Sequence, residues 1–485
     1  MNRAIRHTWI VSVAMFMVLL VALSLIQVVL TDDLDSHPTN ARQTIQQAGA
    51  PRGPITVDGT PIVESVESEN SVYDYQRVYH EPELYAGITG FFSVVQEGAP
   101  AGIENAENEY LTGQSDSQFF DRVTSLFTGD TLQGAQVELT LDHSLQQAAF
   151  DLIPDDARGS IVVTEVDTGE VRAMASKPSY DPNDLAVQSY DQYTANVNQL
   201  DEAGVDPYSF RPMNSTIAPG STFKLIDAVA MLESGDYEID EELDNPPEID
   251  LPDTENTLQN FRDGGCGAQS QAELTWIFAN SCNTPFAEAA MDMGHGPLLE
   301  AAEAFGFNQP MRIPNHVTAS NFPEEDLHDA PLALSSIGQD NVTATPLQMN
   351  MAAAAIANDG ALMQPQMVDT IRGSDLQILS QPAPEVLNDV MSSSTASDIA
   401  EMMVETAESG TGAAAAAQTS HDIAVKTGTA EIDGTDEVHS WITGFAPADE
   451  PEYAITVTYE RTSYTTGSAL TAGNFASMVE EVMSE

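Results

Sequence analysis

Lysine is almost absent from this chain of 485 residues. Only Lys177, Lys224 and Lys426 occur, and 16 lysine and arginine residues together face 75 aspartate and glutamate residues, which gives a formal net charge of −59. A surface of this charge repels the phosphates of nucleic acids and the headgroups of anionic lipids. We therefore expect no nucleic-acid partner. We also predict a surface adapted to a high-salt exterior, where dissolved ions screen the repulsion between carboxylates.

Cysteine and clustered histidine are equally scarce. Cys266 and Cys282 are the two cysteines, and the nine histidines are scattered along the chain. No group of residues has the spacing of metal ligands, so we expect neither a metal nor another cofactor. Outside the cytoplasm the two cysteines could form a disulfide, which would stabilise the fold by about 3 kcal/mol in the chain-entropy model. Two separate buried thiols are the alternative.

One long apolar run stands near the N-terminus. Residues 9–30 carry no charge, and at about 1.5 Å per helical residue they are long enough to cross a hydrocarbon core of roughly 30 Å. Arg3 and Arg6 precede the run, and Asp32, Asp33 and Asp35 follow it. This asymmetry predicts a single-pass membrane anchor with residues 1–8 in the cytoplasm and the rest outside. A cleaved signal peptide is the alternative, but no A-x-A-like cleavage site follows the run.

The remaining sequence divides into two regions by its pattern. Residues 31–140 show little sustained helical periodicity, and we interpret them as a small, extended, non-catalytic stalk domain. In residues 141–485, strand patterns at both ends bracket an alanine-rich helical middle. We predict strands over 159–163, 171–176, 422–430, 440–446 and 453–460, and helices over 222–234, 271–293 and 345–358. Successive strands that pair antiparallel would give an α+β fold, with one sheet flanked by helices.

The segment around Ser221 carries the first chemical signal. Pro219 and Gly220 make a sharp entry into a predicted helix, and Lys224 follows Ser221 by one helical turn, so its amine can reach the Ser221 hydroxyl. Burial can lower the pKa of a lysine until it serves as a general base for a serine. By itself an S-x-x-K pattern is weak, because a helix-capping serine and an exposed lysine produce it equally well.

Two further triplets strengthen this interpretation. Ser281-Cys282-Asn283 is an S-x-N triplet, and Lys426-Thr427-Gly428 lies on a predicted strand. Each is common alone, but in the order S-x-x-K, S-x-N, K-T-G they mark serine β-lactamases and penicillin-binding proteins. Two of the three lysines lie inside this set.

With these motifs the chain resembles a class B penicillin-binding protein, of the actinobacterial penicillin-binding protein A type. The resemblance also includes Arg52-Gly53-Pro54-Ile55 with Gly59, and residues 139–149, 176–186, 337–349 and 426–431 in the family's order. It implies a membrane-bound peptidoglycan D,D-transpeptidase that is a target of penicillin and acts in cell-wall synthesis and cell division. The implied partners are peptidoglycan stem peptides, β-lactam antibiotics and a membrane glycosyltransferase of the RodA/FtsW kind.

The resemblance also implies roles for individual residues. Ser221 would be the nucleophile, Lys224 its general base and Ser281 a proton relay, and backbone N–H groups of Ser221 and Thr429 would form the oxyanion hole. The implied substrate-binding residues are Asn283, Lys426, Thr427, Gly428 and Thr429. If Cys266 and Cys282 pair, their disulfide would brace the S-x-N loop. Lys177 receives no role, and we expect it to be a plain surface lysine.

Three alternatives stay open. A β-lactamase on the same fold needs a positioned glutamate, and the string Glu241 to Asn245 is out of pattern for one. A D,D-carboxypeptidase differs only in that water takes the acyl group. An inactive scaffold of the division machinery is the third, and the intact motifs speak against it.

Overall fold

The computed structural model describes residues 2–26, 50–68, 73–96, 100–129, 131–260, 266 and 269–484. Its first helix, α1, spans Asn2–Ser24, and the stretch Ile5–Ser24 is long and apolar enough to cross a membrane. No part of this stretch is buried against the protein. The helix starts earlier than the predicted span of residues 9–30, and residues 27–30 of that span lie outside the described residues.

The region after residue 50 is folded and contains both strands and helices. Its elements are β1 (Ile55–Val57), β2 (Thr60–Glu67), β3 (Tyr75–Tyr79), α2 (Pro82–Thr89), α3 (Gly102–Ala106), α4 (Asn108–Leu111), α5 (Phe119–Thr128) and β4 (Gln136–Leu139). A one-turn 3-10 helix, Asp116–Gln118, precedes α5. The short, irregular helices explain why the sequence shows little sustained helical periodicity here.

A buried ion cluster lies at the centre of this region. Glu104 is fully buried, with Arg52 Nη2 at 2.7 Å from one carboxylate oxygen and Arg77 Nε at 2.5 Å from the other. Tyr79 donates its hydroxyl to Glu104 at 3.1 Å. Burial raises the pKa of Glu104, but the two guanidinium groups outweigh it, so the pKa is lowered and the carboxylate stays ionised. The segment Arg52 to Ile55, which carries part of the family resemblance, thus supplies Arg52 to this cluster.

The rest of the chain contains strands at both ends and helices between them. The strands are β5 (Gly159–Glu165), β6 (Val171–Lys177), β7 (Glu242–Asp244), β8 (Glu248–Asp250), β9 (Thr257–Gln259), β10 (Gln271–Glu273), β11 (Met311–Arg312), β12 (His316–Val317), β13 (Ala361–Met363), β14 (Val368–Arg372), β15 (Ile378–Ser380), β16 (Val386–Asp389), β17 (Ala424–Glu431), β18 (Val438–Ala446) and β19 (Tyr453–Thr462).

In the part of the chain that the structure describes, twelve further helices follow α5. They are α6 (His143–Leu152), α7 (Tyr190–Glu202), α8 (Arg211–Asn214), α9 (Lys224–Ser234), α10 (Leu274–Ala279), α11 (Thr284–Met293), α12 (His295–Ala304), α13 (Asp329–Ser336), α14 (Pro346–Ala357), α15 (Ser393–Glu408), α16 (Ala413–Ala416) and α17 (Tyr464–Val482). One-turn 3-10 helices also span Pro182–Asp184 and Gly220–Phe223.

The central sheet has the order β17-β18-β19-β5-β6, and every neighbouring pair is antiparallel. Helices α6 and α17 cover one face, and α14 with the helical middle covers the other, so each face has its own hydrophobic core. The predicted α+β class and all five predicted strands are confirmed. Strand β17 is an edge of this sheet, which leaves alternate backbone groups of the K-T-G segment without a strand partner.

A second sheet joins the two regions of the chain. Its order is β15-β14-β4-β1-β2-β3, so β14 and β15, which lie more than 220 residues after β4, complete the sheet of the N-terminal region. The sequence pattern did not indicate this pairing. Because the shared sheet is continuous, it links the N-terminal region to the rest of the chain through backbone hydrogen bonds.

Two expectations from the sequence are wrong. The helix predicted over residues 271–293 is interrupted between α10 and α11, at the S-x-N triplet. Lys177 is not a surface lysine: it is buried at the end of β6, where Nζ donates to Asp155 Oδ1 at 2.7 Å and lies 4.6 Å from the centre of the Phe150 ring. An ion pair and a cation–π contact therefore hold it.

Candidate active site

The predicted nucleophile lies in a tight turn that packs against β17 and against the segment around Gly338. Ser221 is half-buried in the 3-10 turn Gly220–Phe223, directly before α9 begins at Lys224. Gly220 has a φ of +53°, and a Cβ at this position would lie 2.6 Å from the Thr429 carbonyl oxygen. The backbone N–H of Gly220 donates to the Gly338 carbonyl at 3.0 Å. Only glycine therefore lets the Ser221 turn approach β17 this closely.

The predicted general base is buried beneath this turn. Lys224 Nζ donates to the carbonyl oxygens of Ser281 and Cys282 at 2.9 and 2.8 Å, and to Asn283 Oδ1 at 2.8 Å. Burial and the neighbouring Lys426 lower the pKa of Lys224 well below its usual value, and Asp227 opposes them. Both effects favour the neutral amine, which is the form that a general base requires. The three oxygens are placed to receive the three N–H groups of the ammonium form.

The S-x-N triplet takes its position from the end of α10. The N–H of Ser281 donates to the Phe278 carbonyl and the N–H of Cys282 to the Ile277 carbonyl, both at 3.0 Å, which is the bonding pattern of a Schellman motif. Ser281 occupies the left-handed position of that motif with a φ of +58°, where glycine is usual. This turn ends the helix and directs the Ser281 and Cys282 carbonyls toward Lys224.

Further contacts brace the same loop. Cys282 forms a disulfide with Cys266. The sequence left two alternatives open, a disulfide or two separate buried thiols, and the structure has the disulfide. Asn283 donates its side-chain amide to the Gln259 carbonyl at 3.1 Å and its backbone N–H to Asn260 Oδ1 at 2.6 Å. Asn260 is a buried positioning residue that the sequence did not reveal, because a single asparagine in a loop carries no pattern.

The K-T-G segment supplies a second buried amine. Lys426 Nζ donates to Ser281 Oγ at 2.9 Å and to the Thr427 carbonyl at 3.3 Å. Burial lowers the pKa of Lys426 to about 7. Thr427 and Thr429 are half-buried, and the Thr427 hydroxyl lies 2.6 Å from the Thr411 hydroxyl, a contact that the sequence did not predict.

Gly428 allows β17 to pack against the nucleophile turn. A Cβ at this position would lie 2.6 Å from the Pro219 carbonyl oxygen and 3.0 Å from the Thr222 backbone nitrogen. The close approach that Gly428 permits in the structure is thus to the turn that carries Ser221. The indole N–H of buried Trp441 also fixes this turn, by donating to the Ala218 carbonyl at 3.0 Å.

Together these contacts form a site with two layers. Lys224 and Lys426 are completely buried, and the half-buried side chains above them are those of Ser221, Ser281, Asn283, Thr427 and Thr429. Hydroxyl and amide groups thus lie in one layer with the predicted nucleophile, and two amines lie beneath. Glu242, from the string weighed as a β-lactamase base, is exposed on the short strand β7. Within the described ranges no group of histidine, cysteine, aspartate or glutamate side chains could hold a metal ion.

Comparisons with known proteins agree with this geometry. A family model described as the penicillin binding protein transpeptidase domain matches residues 159–480, and one described as the penicillin binding protein A dimerisation domain matches residues 52–137. The chain is 37% identical to the peptidoglycan D,D-transpeptidase PbpA of Mycolicibacterium smegmatis, over 95% of this chain and 94% of the relative. It is 34% identical to PbpA of Mycobacterium tuberculosis, over 100% of this chain and 99% of the relative.

Solved structures show the same likeness. Penicillin-binding protein A from M. tuberculosis, solved as an acyl-enzyme complex with imipenem, superposes with a TM-score of 0.83 at 32% identity, covering 90% of this chain and 100% of that one. Its penicillin G acyl-enzyme complex gives 0.82 at 33% identity with the same coverage. The motifs, the arrangement of the site and these full-length similarities agree, and the chain belongs to the penicillin-binding protein family of transpeptidases, in the penicillin-binding protein A group.

Proposed function

We propose that this chain is a peptidoglycan D,D-transpeptidase that cross-links stem peptides through an acyl-enzyme on Ser221. The observation that supports this most directly is that two buried amines both donate hydrogen bonds to Ser281. Lys224 bonds to the Ser281 carbonyl and Lys426 to the Ser281 hydroxyl, beside the Ser221 turn. A base and a relay hydroxyl close to one nucleophile are what serine acyl transfer requires.

In the first half-reaction, Lys224 in its neutral form takes the proton of Ser221 Oγ. The oxygen attacks the carbonyl carbon of the penultimate D-Ala, and backbone N–H groups of Ser221 and Thr429 stabilise the resulting oxyanion. The proton reaches the leaving amine through Ser281, the C–N bond breaks and the terminal D-Ala departs. In the second half-reaction, an amine of a neighbouring stem peptide attacks the ester carbonyl and releases Ser221.

Strand β17 supplies the substrate-binding edge. An extended stem peptide can add to this edge strand through backbone hydrogen bonds, in the manner of β-strand addition. The half-buried side chains of Thr427 and Thr429 lie on one face of the strand. The bond from Lys426 Nζ to Ser281 Oγ joins the strand to the S-x-N loop, which carries Asn283. The positive field of Lys426 favours the terminal carboxylate of the stem, and the same carboxylate is present in β-lactams.

The apolar helix α1 serves in this proposal as a single-pass membrane anchor. Arg3 and Arg6 at its start would keep the N-terminus in the cytoplasm and place the catalytic region outside, where its substrate lies. The resemblance to class B penicillin-binding proteins implies a separate membrane glycosyltransferase of the RodA/FtsW kind as a partner. In this proposal that partner polymerises the glycan, and the N-terminal region contacts it during cell-wall synthesis and division.

The test is covalent labelling of the full chain in detergent and high salt. After addition of a β-lactam, intact mass spectrometry should show a stable adduct on the parent protein and on the control Ser234→Ala, which changes an exposed serine at the far end of α9. The adduct should be absent from Ser221→Ala. Absence of an adduct on folded parent protein would favour the scaffold alternative, and rapid turnover of the drug without an adduct would favour a β-lactamase.

A further inference from the structure

Asp227 carries a buried carboxyl group that has no role in the reaction steps described above. It lies in the first turn of α9, three residues after Lys224, and is completely inaccessible to solvent. Neither of its carboxylate oxygens has a hydrogen-bond partner among the described residues. Burial of a carboxyl group without donors is unfavourable, so the presence of one beside the active site requires a physical explanation.

The position of Asp227 relates it to Lys224. Residues three apart on a helix lie on the same side, with Cβ atoms about 5–6 Å apart. Helices α11, α12, α14 and α15 and the Ser221 turn pack against α9. Of the charged groups on these elements and on β17, Lys224 is the one that acts on Asp227, and Lys426 and Asp227 are the two that act on Lys224. Tyr237, just beyond α9, is a further titratable group within the field of Asp227.

Each charge of this pair is unfavourable without the other. Burial raises the pKa of Asp227 well above its usual value, and Lys224 opposes that effect. Burial and Lys426 lower the pKa of Lys224, and Asp227 opposes them. In a dry interior a lone ammonium or a lone carboxylate is strongly disfavoured, and each offsets part of the cost of the other.

We propose that Asp227 is the counter-charge of Lys224, a positioning residue that stabilises the ammonium formed when Nζ takes the proton of Ser221 Oγ. In this step the O–H bond of Ser221 breaks, an N–H bond forms on Lys224, and the Oγ electron pair attacks the substrate carbonyl. Asp227 exchanges no proton with Ser221 or Lys224 and touches no reacting atom. The three oxygens around Nζ receive its hydrogens, and the ammonium charge favours the carboxylate form of Asp227, which balances it. This pairing rests on the proposed function only in naming Ser221 as the group that gives its proton to Lys224.

A double-mutant cycle tests the pairing without any measurement of activity. Melting temperatures of the full chain in detergent, at fixed NaCl and pH 7, would be compared for the parent, Asp227→Asn, Lys224→Met and the double variant. With Lys224 present, Asp227→Asn removes its counter-charge. With methionine at position 224, the same change removes an uncompensated carboxyl group. We expect the effect of Asp227→Asn to be more favourable in the Lys224→Met background by about 3 °C or more.

Equal effects in the two backgrounds would overturn the proposal. If Asp227→Asn folds only when Lys224 is also replaced, the pairing is upheld. If it folds in neither background, Asp227 serves the fold independently of Lys224 and the proposal is wrong.

The scarcity of lysine permits a second, direct readout. Protein labelled with 13C at lysine Cε has three lysine signals, which Lys177→Arg helps to assign. Asp227→Asn should move the titration midpoint of Lys224 down by at least one pH unit, and the control Asp236→Asn, an exposed carboxylate just beyond α9, should not. An unchanged midpoint would refute the pairing. A shifted midpoint in a protein that no β-lactam acylates would refute the proposed function and leave the pairing intact.

Discussion

Replacement of Lys426 by methionine should stabilise the folded chain while abolishing its reaction with β-lactams. The side chain is completely buried, and its amine has two hydrogen-bond acceptors, Ser281 Oγ and the Thr427 carbonyl. Burial is the cause of its lowered pKa. Burial of this amine thus lowers the stability of the folded chain. Such a cost is common at active sites, where the requirements of activity and of stability conflict.

The magnitude follows from the pKa. A fall from 10.5 to about 7 corresponds, at about 1.4 kcal/mol per pKa unit, to a destabilisation of roughly 5 kcal/mol. Below about pH 7 both states bind the proton, and the full destabilisation applies. Between about pH 7 and 10.5 the unfolded chain keeps the proton and the folded chain loses it, so the destabilisation declines as the pH rises, to about 2 kcal/mol at pH 9.

The assay is chemical unfolding of the parent and Lys426→Met in urea, at constant NaCl, from pH 6 to pH 10. Relaxation around the amine reduces the effect, so we expect the variant to be more stable by about 2–3 kcal/mol at pH 6, with the difference shrinking toward pH 10. Lys177→Met is the matched control, because it removes a buried lysine that has a carboxylate partner and should not stabilise the chain. A variant that is less stable at pH 6, or a gain that does not change with pH, would refute this reasoning.

Four further predictions concern other parts of the molecule. Gly428→Ala should slow β-lactam acylation at least tenfold, measured by stopped-flow, because its Cβ would meet the Pro219 carbonyl at 2.6 Å; Gly473→Ala, whose Cβ has its nearest neighbour at 3.7 Å, should not. Reduction of the Cys266–Cys282 disulfide should lower the acylation rate, because Cys282 supplies an acceptor to Lys224; equal rates with and without reductant would contradict this. Glu104→Gln should lower the free energy of unfolding in urea by about 3–5 kcal/mol, because it leaves two buried guanidinium groups unpaired. The melting temperature of the full chain should rise as NaCl is added at constant pH, because salt screens the repulsion among its carboxylates.

The sequence predicted the chemistry better than the geometry that positions it. The three motifs are local strings, and each contains its reactive groups within four residues, so their presence can be recognised without a fold. The break in the helix over residues 271–293 could not be predicted in the same way. Helical spacing continues across residue 281, and the usual signal of a left-handed helix end, a glycine, is absent. Instead Ser281 adopts a φ of +58°, a conformation that tertiary contacts at Lys224, Lys426 and Asn260 maintain.

Long-range pairing is the second thing the sequence did not reveal. Strands β14 and β15 lie far from β1 to β4 in the chain. Nothing in a short window of sequence distinguishes a strand that joins a distant sheet from one that forms a local hairpin. Asp227 is a related case. Its carboxyl group stands among the apolar residues of a predicted helix, three residues after Lys224, which is a signal in itself. Only the packing around α9 shows that both charged groups are completely buried.

The three lysines show how composition can indicate function. In a chain with 75 acidic residues, a lysine on the surface would have abundant carboxylate neighbours, yet all three lysines are buried. Each has specific oxygen acceptors: Asp155 for Lys177, the S-x-N loop for Lys224, and Ser281 with Thr427 for Lys426. A buried amine costs stability that a surface charge does not, so its retention requires a local reason. For Lys177 the reason is an ion pair, and for Lys224 and Lys426 the reason we propose is the chemistry of Ser221. In a strongly acidic protein with few lysines, a lysine therefore indicates a position with a specific structural or chemical role.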